Sequence, residues 1–137
     1  MSTKEIGNKG EDLACEYLVK KGYKILERNC VLFCGEIDII ARKKGGLKDF
    51  FKRINPLTGS GRVIHFVEVK ALSAENNFYP EEHVNFRKQR KLRQLAEIWL
   101  QKQKYPQNTP CQIDIIAVST GAGHTQIEYF ENVVEDK

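Results

Sequence analysis

Hydrophobic residues recur at helical spacing in two stretches of the chain. The first runs from about residue 4 to 21, and Gly22 ends it as a C-terminal glycine would. The second runs from about residue 81 to 104, and the acids Glu81 and Glu82 suit a helix N-terminus. Its apolar stripe is formed by Val84, Leu92, Leu95 and Trp99. These stretches predict two amphipathic helices.

Five other stretches are rich in β-branched residues and predict strands. They are YKILERNCVLF (23–33), EIDIIAR (36–42), RVIHFVEVKAL (62–72), CQIDIIAVS (111–119) and TQIEYFENV (125–133). The first two are close enough to pair as a hairpin around Cys34–Gly35. Residues 43–61 are rich in Gly, Lys and Pro and predict an insertion between strands. The order α-β-β-β-α-β-β predicts one mixed α/β domain over 1–137, with helices packed on a central sheet.

Composition narrows the class of protein. The chain has 137 residues, 41% of them hydrophobic and 29% charged, with a net charge of +4. The acidic N-terminus does not resemble a signal peptide, and no stretch reaches the roughly 18 apolar residues of a membrane helix. We therefore expect a cytoplasmic protein that does not bind membranes. The four cysteines form no CxxC pair, which favours reduced, mostly buried thiols over a zinc site.

Charged residues interrupt the apolar pattern of three predicted strands. The string IDIIA occurs at 37–41 and again at 113–117, so Asp38 and Asp114 each lie within a β-branched run. In FVEVK, Glu68 and Lys70 share one face of their strand, roughly 7 Å apart. Burying such charges without partners costs several kcal/mol. The alternative is that Glu68 and Lys70 lie on the solvated face of an edge strand.

Asp38 precedes Glu68 by 30 residues, on a strand expected to be its neighbour. An acid on one strand and acid-x-lysine on the next suit a hard divalent cation, because Mg²⁺ needs only one or two carboxylates. The lysine could orient an attacking water or stabilise charge developing on a phosphate.

Each predicted helix also places a charge on or beside its apolar stripe. Glu11 lies at the margin of the first stripe, and Lys88 lies on the second, between Val84 and Leu92. Lys88 either extends its ammonium group to solvent or directs it at an anion.

These motifs together resemble a known family. G-x-x-G-E-x-x-A at residues 7–14, then GYKILERN, GEIDIIA, FVEVK and a helix with Lys88, are similar to the YraN-like family of predicted bacterial endonucleases. That family is similar to archaeal Holliday-junction resolvases and belongs to the PD-(D/E)XK, or restriction-endonuclease-like, superfamily. The resemblance spans nearly the whole chain. It implies an αβββαβ core with a mixed central sheet flanked by helices.

The resemblance also implies site residues. Asp38 and Glu68 would bind Mg²⁺ or Mn²⁺, Lys70 would assist catalysis, and Glu11 would be a further metal or water ligand. Lys88 matches a lysine common in the family. Asp114 has no downstream motif and is expected to be structural, although the family often has an acid there. This chain departs from the family in lacking an arginine soon after Lys70 and in its longer insertion at 43–61.

Basic residues cluster in two places that would flank the acids. One cluster is on the second helix, where Arg87, Lys88 and Lys91 are candidate nucleic-acid contacts, together with Arg90 and Arg93. The other is in the insertion, with Lys48, Lys52 and Arg53 as candidates, together with Lys43 and Lys44. Either cluster could instead be a solvated face. Phe50 and Phe51 could stack on bases or cover the sheet. The three histidines have no metal-ligand spacing and are expected to be non-catalytic.

The sequence therefore predicts a Mg²⁺-dependent nuclease that hydrolyses DNA phosphodiesters, at branched structures in particular. One rival prediction is a non-catalytic nucleic-acid-binding module. Another is an accessory subunit of a repair or recombination assembly. By analogy with resolvase-like relatives, which dimerise to cut two strands, we also expect a homodimer.

Overall fold

A computed structural model describes residues 3–44, 63–73, 85–121 and 123–133 of the chain. These ranges contain two helices and five strands in the predicted order. The elements are α1 (Thr3–Lys20), β1 (Tyr23–Leu32), β2 (Gly35–Lys43), β3 (Ile64–Ser73), α2 (Phe86–Lys102), β4 (Cys111–Gly121) and β5 (His124–Phe130). Most of the 43–61 insertion, including Lys48, Lys52 and Arg53, lies outside the described residues, and Lys43 belongs to β2.

The five strands form one mixed sheet in sequential order, β1-β2-β3-β4-β5. β3 and β4 are parallel, and the other three pairs are antiparallel. The parallel pair is joined by the segment that contains α2, as a parallel connection requires. β3 is thus the central strand, so the edge-strand alternative for Glu68 and Lys70 is wrong. The prediction that β2 and β3 are neighbours is confirmed.

The helices cover opposite faces of the sheet. On one face Ala14, Cys15 and Leu18 of α1 pack against a buried cluster that includes Val67 and Ile116. Gly10 allows this approach, because a Cβ there would lie 3.3 Å from Cβ of Ala71 on β3. α1 ends at Lys20, and Gly22, with φ +92°, follows it as the predicted C-terminal glycine.

On the other face, α2 packs through its buried residues Leu95, Ala96 and Trp99. The indole ring of Trp99 packs edge-on against Phe66 of β3 and is stacked on Tyr105. Its Nε1 donates a hydrogen bond of 3.0 Å to Glu27. The central sheet is therefore sandwiched between two apolar layers.

The predicted start of the second helix is wrong. α2 begins at Phe86, and Asn85 is its N-cap: the Asn85 side chain accepts a hydrogen bond of 2.9 Å from the backbone N–H of Lys88. Glu81, Glu82 and Val84 lie outside the described residues. A capping Asn satisfies an otherwise unpaired helical N–H, which fixes the helix start more firmly than acidic composition does.

Within the described residues, no helix is long and apolar enough to cross a membrane.

Candidate functional site

The site is built where two central strands separate. The ladder between β2 and β3 ends at the pair Ile39–Val67, although both strands continue beyond it. Ile37 packs on the α2 face and Ile39 on the α1 face, whereas regular alternation would put both on one face. The backbone is therefore irregular at Asp38, between them.

Asp38 replaces the missing ladder contact. Its Oδ2 accepts a hydrogen bond of 2.8 Å from the backbone N–H of Val69 on β3. Burial is the main cause that raises the pKa of the Asp38 carboxyl, and the charges of Glu68 and Glu36 raise it further. The N–H of Val69 and the charge of Lys70 oppose that shift. Asp38 is thus a partly buried acid whose ionised form is only partly compensated by positive charge.

Glu68 is the centre of a small charge network. Its Oε1 lies 2.8 Å from Nζ of Lys88 on α2 and 3.4 Å from Nζ of Lys70, two residues along β3. Its Oε2 is buried and has no hydrogen-bond partner among the described residues. One oxygen of Glu68 is therefore held by two ammonium groups, while the other is available for a ligand.

Glu11 approaches the same region from α1. Its Oε2 is also buried without a partner in the described part of the chain. Burial and then the charge of Asp38 raise the pKa of the Glu11 carboxyl, while the side chain of Asn29 and the charge of Arg28 act in the opposite direction. The acids of this region are thus Glu11, Asp38 and Glu68. The pKa is raised above its ordinary value for Glu11 and for Asp38.

The two lysines differ electrostatically. Burial, followed by the neighbouring Lys88, lowers the pKa of Lys70. Burial would also lower the pKa of Lys88, but the contact with Glu68 and the charges around it leave that pKa raised. The site therefore favours the charged form of Lys88 and disfavours that of Lys70.

A small cleft of about 40 Å³, open to solvent on one side, lies beside Asp38 and Glu68. Its lining includes Glu36, Asp38, Glu68 and Leu92. In the described residues no group of three or more His, Cys, Asp or Glu side chains is placed to hold a metal ion. Two carboxylates are nonetheless enough for Mg²⁺, which keeps water and substrate oxygens as its other ligands. The unpartnered Oε2 of Glu68 and the only partly compensated charge of Asp38 fit such a cation.

Asp114 lies on the opposite face of the sheet from Glu68. It is opposite Val67 in the β3–β4 register, whereas Glu68 is opposite Ile115. Asp114 is fully buried, and its oxygens lie 2.6 Å from Nδ1 of His65 and accept from the hydroxyl of Tyr129. Gln112 Nε2 and the backbone N–H of Asn132 each donate to it over 2.8 Å. These contacts fit the structural role predicted for Asp114.

The remaining candidate residues fall into two groups. Arg87 and Lys91 are exposed on α2, near Lys88. Lys48, Lys52 and Arg53, and the pair Phe50–Phe51, lie outside the described residues. Of the cysteines, Cys15 and Cys30 are buried, Cys34 is half-buried and Cys111 is exposed, and all four are free thiols.

Sequence reasoning missed Asn29. It has φ +50°, a conformation that Asn tolerates better than most residues, and lies on β1 between the residues paired with Ile37 and Ile39. Its side chain interacts with Glu11. The motif GYKILERN contains this Asn, but only its position opposite Asp38 indicates a role.

Comparison with known proteins places the chain in a family. The model of the uncharacterised protein family UPF0102 matches residues 10–118, which include Glu11, Asp38, Glu68, Lys70 and Lys88. The chain belongs to the UPF0102 family. This confirms the predicted YraN-like membership.

Several UPF0102 proteins are similar over most of their length. The one from Desulforamulus reducens is 38% identical over 115 residues, covering 84% of this chain and 81% of that protein. The Thermodesulfovibrio yellowstonii protein is 36% identical, with 96% and 97% covered, and the Geobacter metallireducens protein is 36% identical, with 98% and 96% covered. Among solved structures, Pyrococcus furiosus SfsA in complex with Ca²⁺ matches at 12% identity and a TM-score of 0.35. That match covers 98% of this chain and 66% of that one, and its TM-score is too low to support an argument.

Proposed function

We propose that this UPF0102 protein is a divalent-cation-dependent endonuclease that hydrolyses phosphodiester bonds in DNA. The observation that carries the proposal is the convergence of Asp38, Glu68 and Lys70 where β2 and β3 separate, with one buried Glu68 oxygen left unpartnered. The element order α-β-β-β-α-β is that of a restriction-endonuclease-like core, and we include this fold in the proposal. The reduced thiols fit a cytoplasmic location.

Each residue has a role that follows from its environment. Asp38 and Glu68 would hold Mg²⁺ or Mn²⁺, which when bound would offset phosphate charge and favour ionisation of a water nucleophile. Lys70, whose pKa is lowered, orients the attacking water and in its neutral form would accept a proton from it, while solvent would protonate the leaving oxygen. Lys88 keeps Glu68 in position through its 2.8 Å contact. Glu11 adds negative charge beside Asp38 and strengthens attraction for a cation.

The basic end of α2 supports binding of a polyanion. Five of the eight residues from Phe86 to Arg93 are Lys or Arg, and none is acidic. Because Lys88 reaches the site from this helix, a phosphodiester held by its neighbours Arg87 and Lys91 would lie beside the carboxylates. Phosphate contacts of this kind provide affinity independent of base sequence.

The test is cleavage of labelled linear, flapped and four-way DNA by the purified protein with Mg²⁺ or Mn²⁺. Wild type should cut at least one substrate only when the cation is present. Glu68→Gln and Lys70→Ala should each abolish cutting while retaining DNA binding. Asp12→Asn is a matched control, because Asp12 is an α1 acid paired with Arg28 on the surface, and it should cut normally. Cation-independent cutting, or cutting retained by Glu68→Gln, would refute the proposal.

A second candidate is a non-catalytic nucleic-acid-binding module, acting alone or as an accessory subunit of a repair or recombination assembly. The observation favouring it is that Oε1 of Glu68 already contacts Lys70 and Lys88. The charge of this carboxylate is therefore partly compensated without a metal ion. Wild type that binds the DNA panel but cuts none of it, with either cation, would support this candidate.

A further inference from the structure

Two large aromatic side chains are exposed on the β1–β2 hairpin and on α2, the elements that carry Glu36 and Lys88. Phe33 is 87% exposed at the tip of the β1–β2 hairpin, and Phe86 is 74% exposed at the first turn of α2. Large apolar side chains normally lose this much contact with water on folding, since burying one is worth about 1.5–3 kcal/mol. Their exposure at this end of the sheet is unexplained by the packing of the two layers.

Both phenylalanines lie close in sequence to residues of the site. Phe33 is three residues before Glu36, which lines the cleft, and Phe86 is two residues before Lys88, which contacts Glu68. The hairpin and the helix also touch: a Cβ on Gly35 would lie 3.2 Å from Cε of Lys91. Phe86 precedes Lys91 by about one and a half helical turns, or roughly 7.5 Å along the axis.

We propose that the cleft takes nucleic acid with unpaired bases beside the scissile phosphodiester, and that Phe33 and Phe86 stack on those bases. This inference rests on the proposed function. A phenyl ring has no hydrogen-bond donor or acceptor for the base edges in a groove, whereas an unpaired base of any sequence offers a π-face. The guanidinium of Arg90 lies 5.8 Å from the ring centroid of Phe86, which places positive charge beside one stacking surface.

The positive charge of α2 and the small exposed apolar area favour nucleic acid over a second copy of the chain as the partner bound here. The five Lys and Arg residues between Phe86 and Arg93 attract a polyanion and repel the same patch on a chain of net charge +4. A stable interface buries about 800 Å² on each partner. Phe33 and Phe86, with the exposed Val31 beside them, fall well short of that area, since an aromatic side chain buries about 150–250 Å².

The experiment compares affinities of wild type and Phe33→Ala/Phe86→Ala by fluorescence anisotropy, with Ca²⁺ replacing the active cation. The probes are a single-stranded DNA of about 20 nucleotides, the RNA of the same sequence, the matching duplex, and a fork with unpaired arms. Wild type should bind the fork and at least one single strand more tightly than the duplex. The double variant should lose about tenfold or more on those probes and less than about twofold on the duplex. Its salt dependence should be unchanged, because no charge is removed.

Val19→Ala is the matched control, since Val19 is also exposed, at 52%, and lies on the last turn of α1. β1 connects the end of α1 to the hairpin tip, and its ten residues span about 30 Å. This variant should bind all four probes as wild type does. Equal losses on duplex and single strands, or none on either, would overturn the stacking proposal while leaving the nuclease proposal intact.

Two other results would also overturn it. Wild type that binds no nucleic acid would refute the proposed function itself. A wild-type dimer that the double variant converts to monomer, with unchanged probe affinities, would assign the aromatic pair to self-association. Light scattering on wild type and on the double variant measures the oligomeric state, and the anisotropy titrations measure nucleic-acid binding.

Discussion

At the scale of single residues, Asp38 and Asp114 show how position decides the role of an acid. Both come from the string IDIIA, and both are flanked by buried isoleucines. Asp114 has hydrogen-bonded side chains on three strands and accepts from the backbone of Asn132, so its charge is compensated inside the protein. Asp38 receives one backbone N–H and is influenced by the charges of Glu68 and Glu36, which Lys70 offsets only in part, so its charge is left for an external partner to complete.

Asp38→Asn should therefore stabilise the protein in EDTA. The raised pKa of Asp38 means that folding disfavours its charged form, and an Asn oxygen can still accept from Val69. We expect the free energy of unfolding to rise by about 0.5–2 kcal/mol at neutral pH. The gain should vanish well below pH 4, where the wild-type carboxyl is protonated in both states. Urea titrations at several pH values measure it.

Adding Mn²⁺ should reverse the order of stability. A cation bound only by the folded state adds about 2.7 kcal/mol at a hundredfold excess over Kd. Wild type and the Asp12→Asn control should gain this stability, whereas Asp38→Asn should not. If Mn²⁺ stabilised all three proteins equally, the cation would bind elsewhere.

Asp114→Asn should lower the free energy of unfolding, whereas Asp38→Asn should raise it. Burial alone would raise the pKa of Asp114, but hydrogen bonds from His65, Asn132, Tyr129 and Gln112 hold it below the ordinary value. Because the folded-state pKa is depressed, this stability is fully present above the unfolded-state pKa of about 3.9 and is lost as the pH falls through the folded-state value. Replacing the carboxylate that takes part in these hydrogen bonds should lower the free energy of unfolding by about 1.5–3 kcal/mol.

Thermal unfolding of wild type and Asp114→Asn between pH 3 and 7 measures this effect. The difference between the two proteins should be largest near neutral pH and should shrink below about pH 4. A variant as stable as wild type at pH 7 would contradict the structural role.

At the scale of elements, the cap of α2 connects helix stability to the site. Asn85 is exposed, and its capping bond fixes the first turn, from which Lys88 reaches Glu68. Asn85→Ala should lower the free energy of unfolding by about 1 kcal/mol and should also reduce cleavage, because fraying displaces Lys88. Asn85→Asp should restore both, since Asp also caps and its charge suits a helix N-terminus. If Asn85→Ala lowered stability but left cleavage unchanged, the position of Lys88 would not depend on the cap.

At the scale of the whole molecule, one sheet separates two apolar layers. Trp99, the single tryptophan, is buried in the α2 layer, and Ala14 and Ile116 are buried in the α1 layer. β3 contributes Phe66 to one layer and Val67 to the other. Because the layers share this strand, we expect them to unfold together.

Urea unfolding followed by Trp99 fluorescence and by the methyl NMR signals of Ala14 and Ile116 tests this expectation. The curves should coincide, with a single m-value of about 1–3 kcal/mol/M. Separate midpoints would show that α1 detaches before the sheet unfolds.

The periodic pattern was sufficient to predict the order of elements and the pairing of β2 with β3. Spacing along a strand also placed Glu68, Lys70 and Phe66 on one face, as the contacts with α2 confirm. The separation of β2 and β3 at Asp38 could not be predicted, because it belongs to the pairing of two strands distant in sequence and not to the string IDIIA. The partner of Asp114, His65, is 49 residues away, and local pattern carries no information about such pairings.

The hydrogen bond between Val69 and Asp38 has a spectroscopic consequence. An amide proton's chemical shift responds to the charge on its acceptor, and this amide lies on a central strand, two residues from Val67, which is fully buried. Its resonance is therefore an intrinsic sensor of the Asp38 carboxylate. Titrating the ¹⁵N-labelled protein with acid and then with Mg²⁺ would follow protonation and cation occupancy from one peak, without a substrate or an added label.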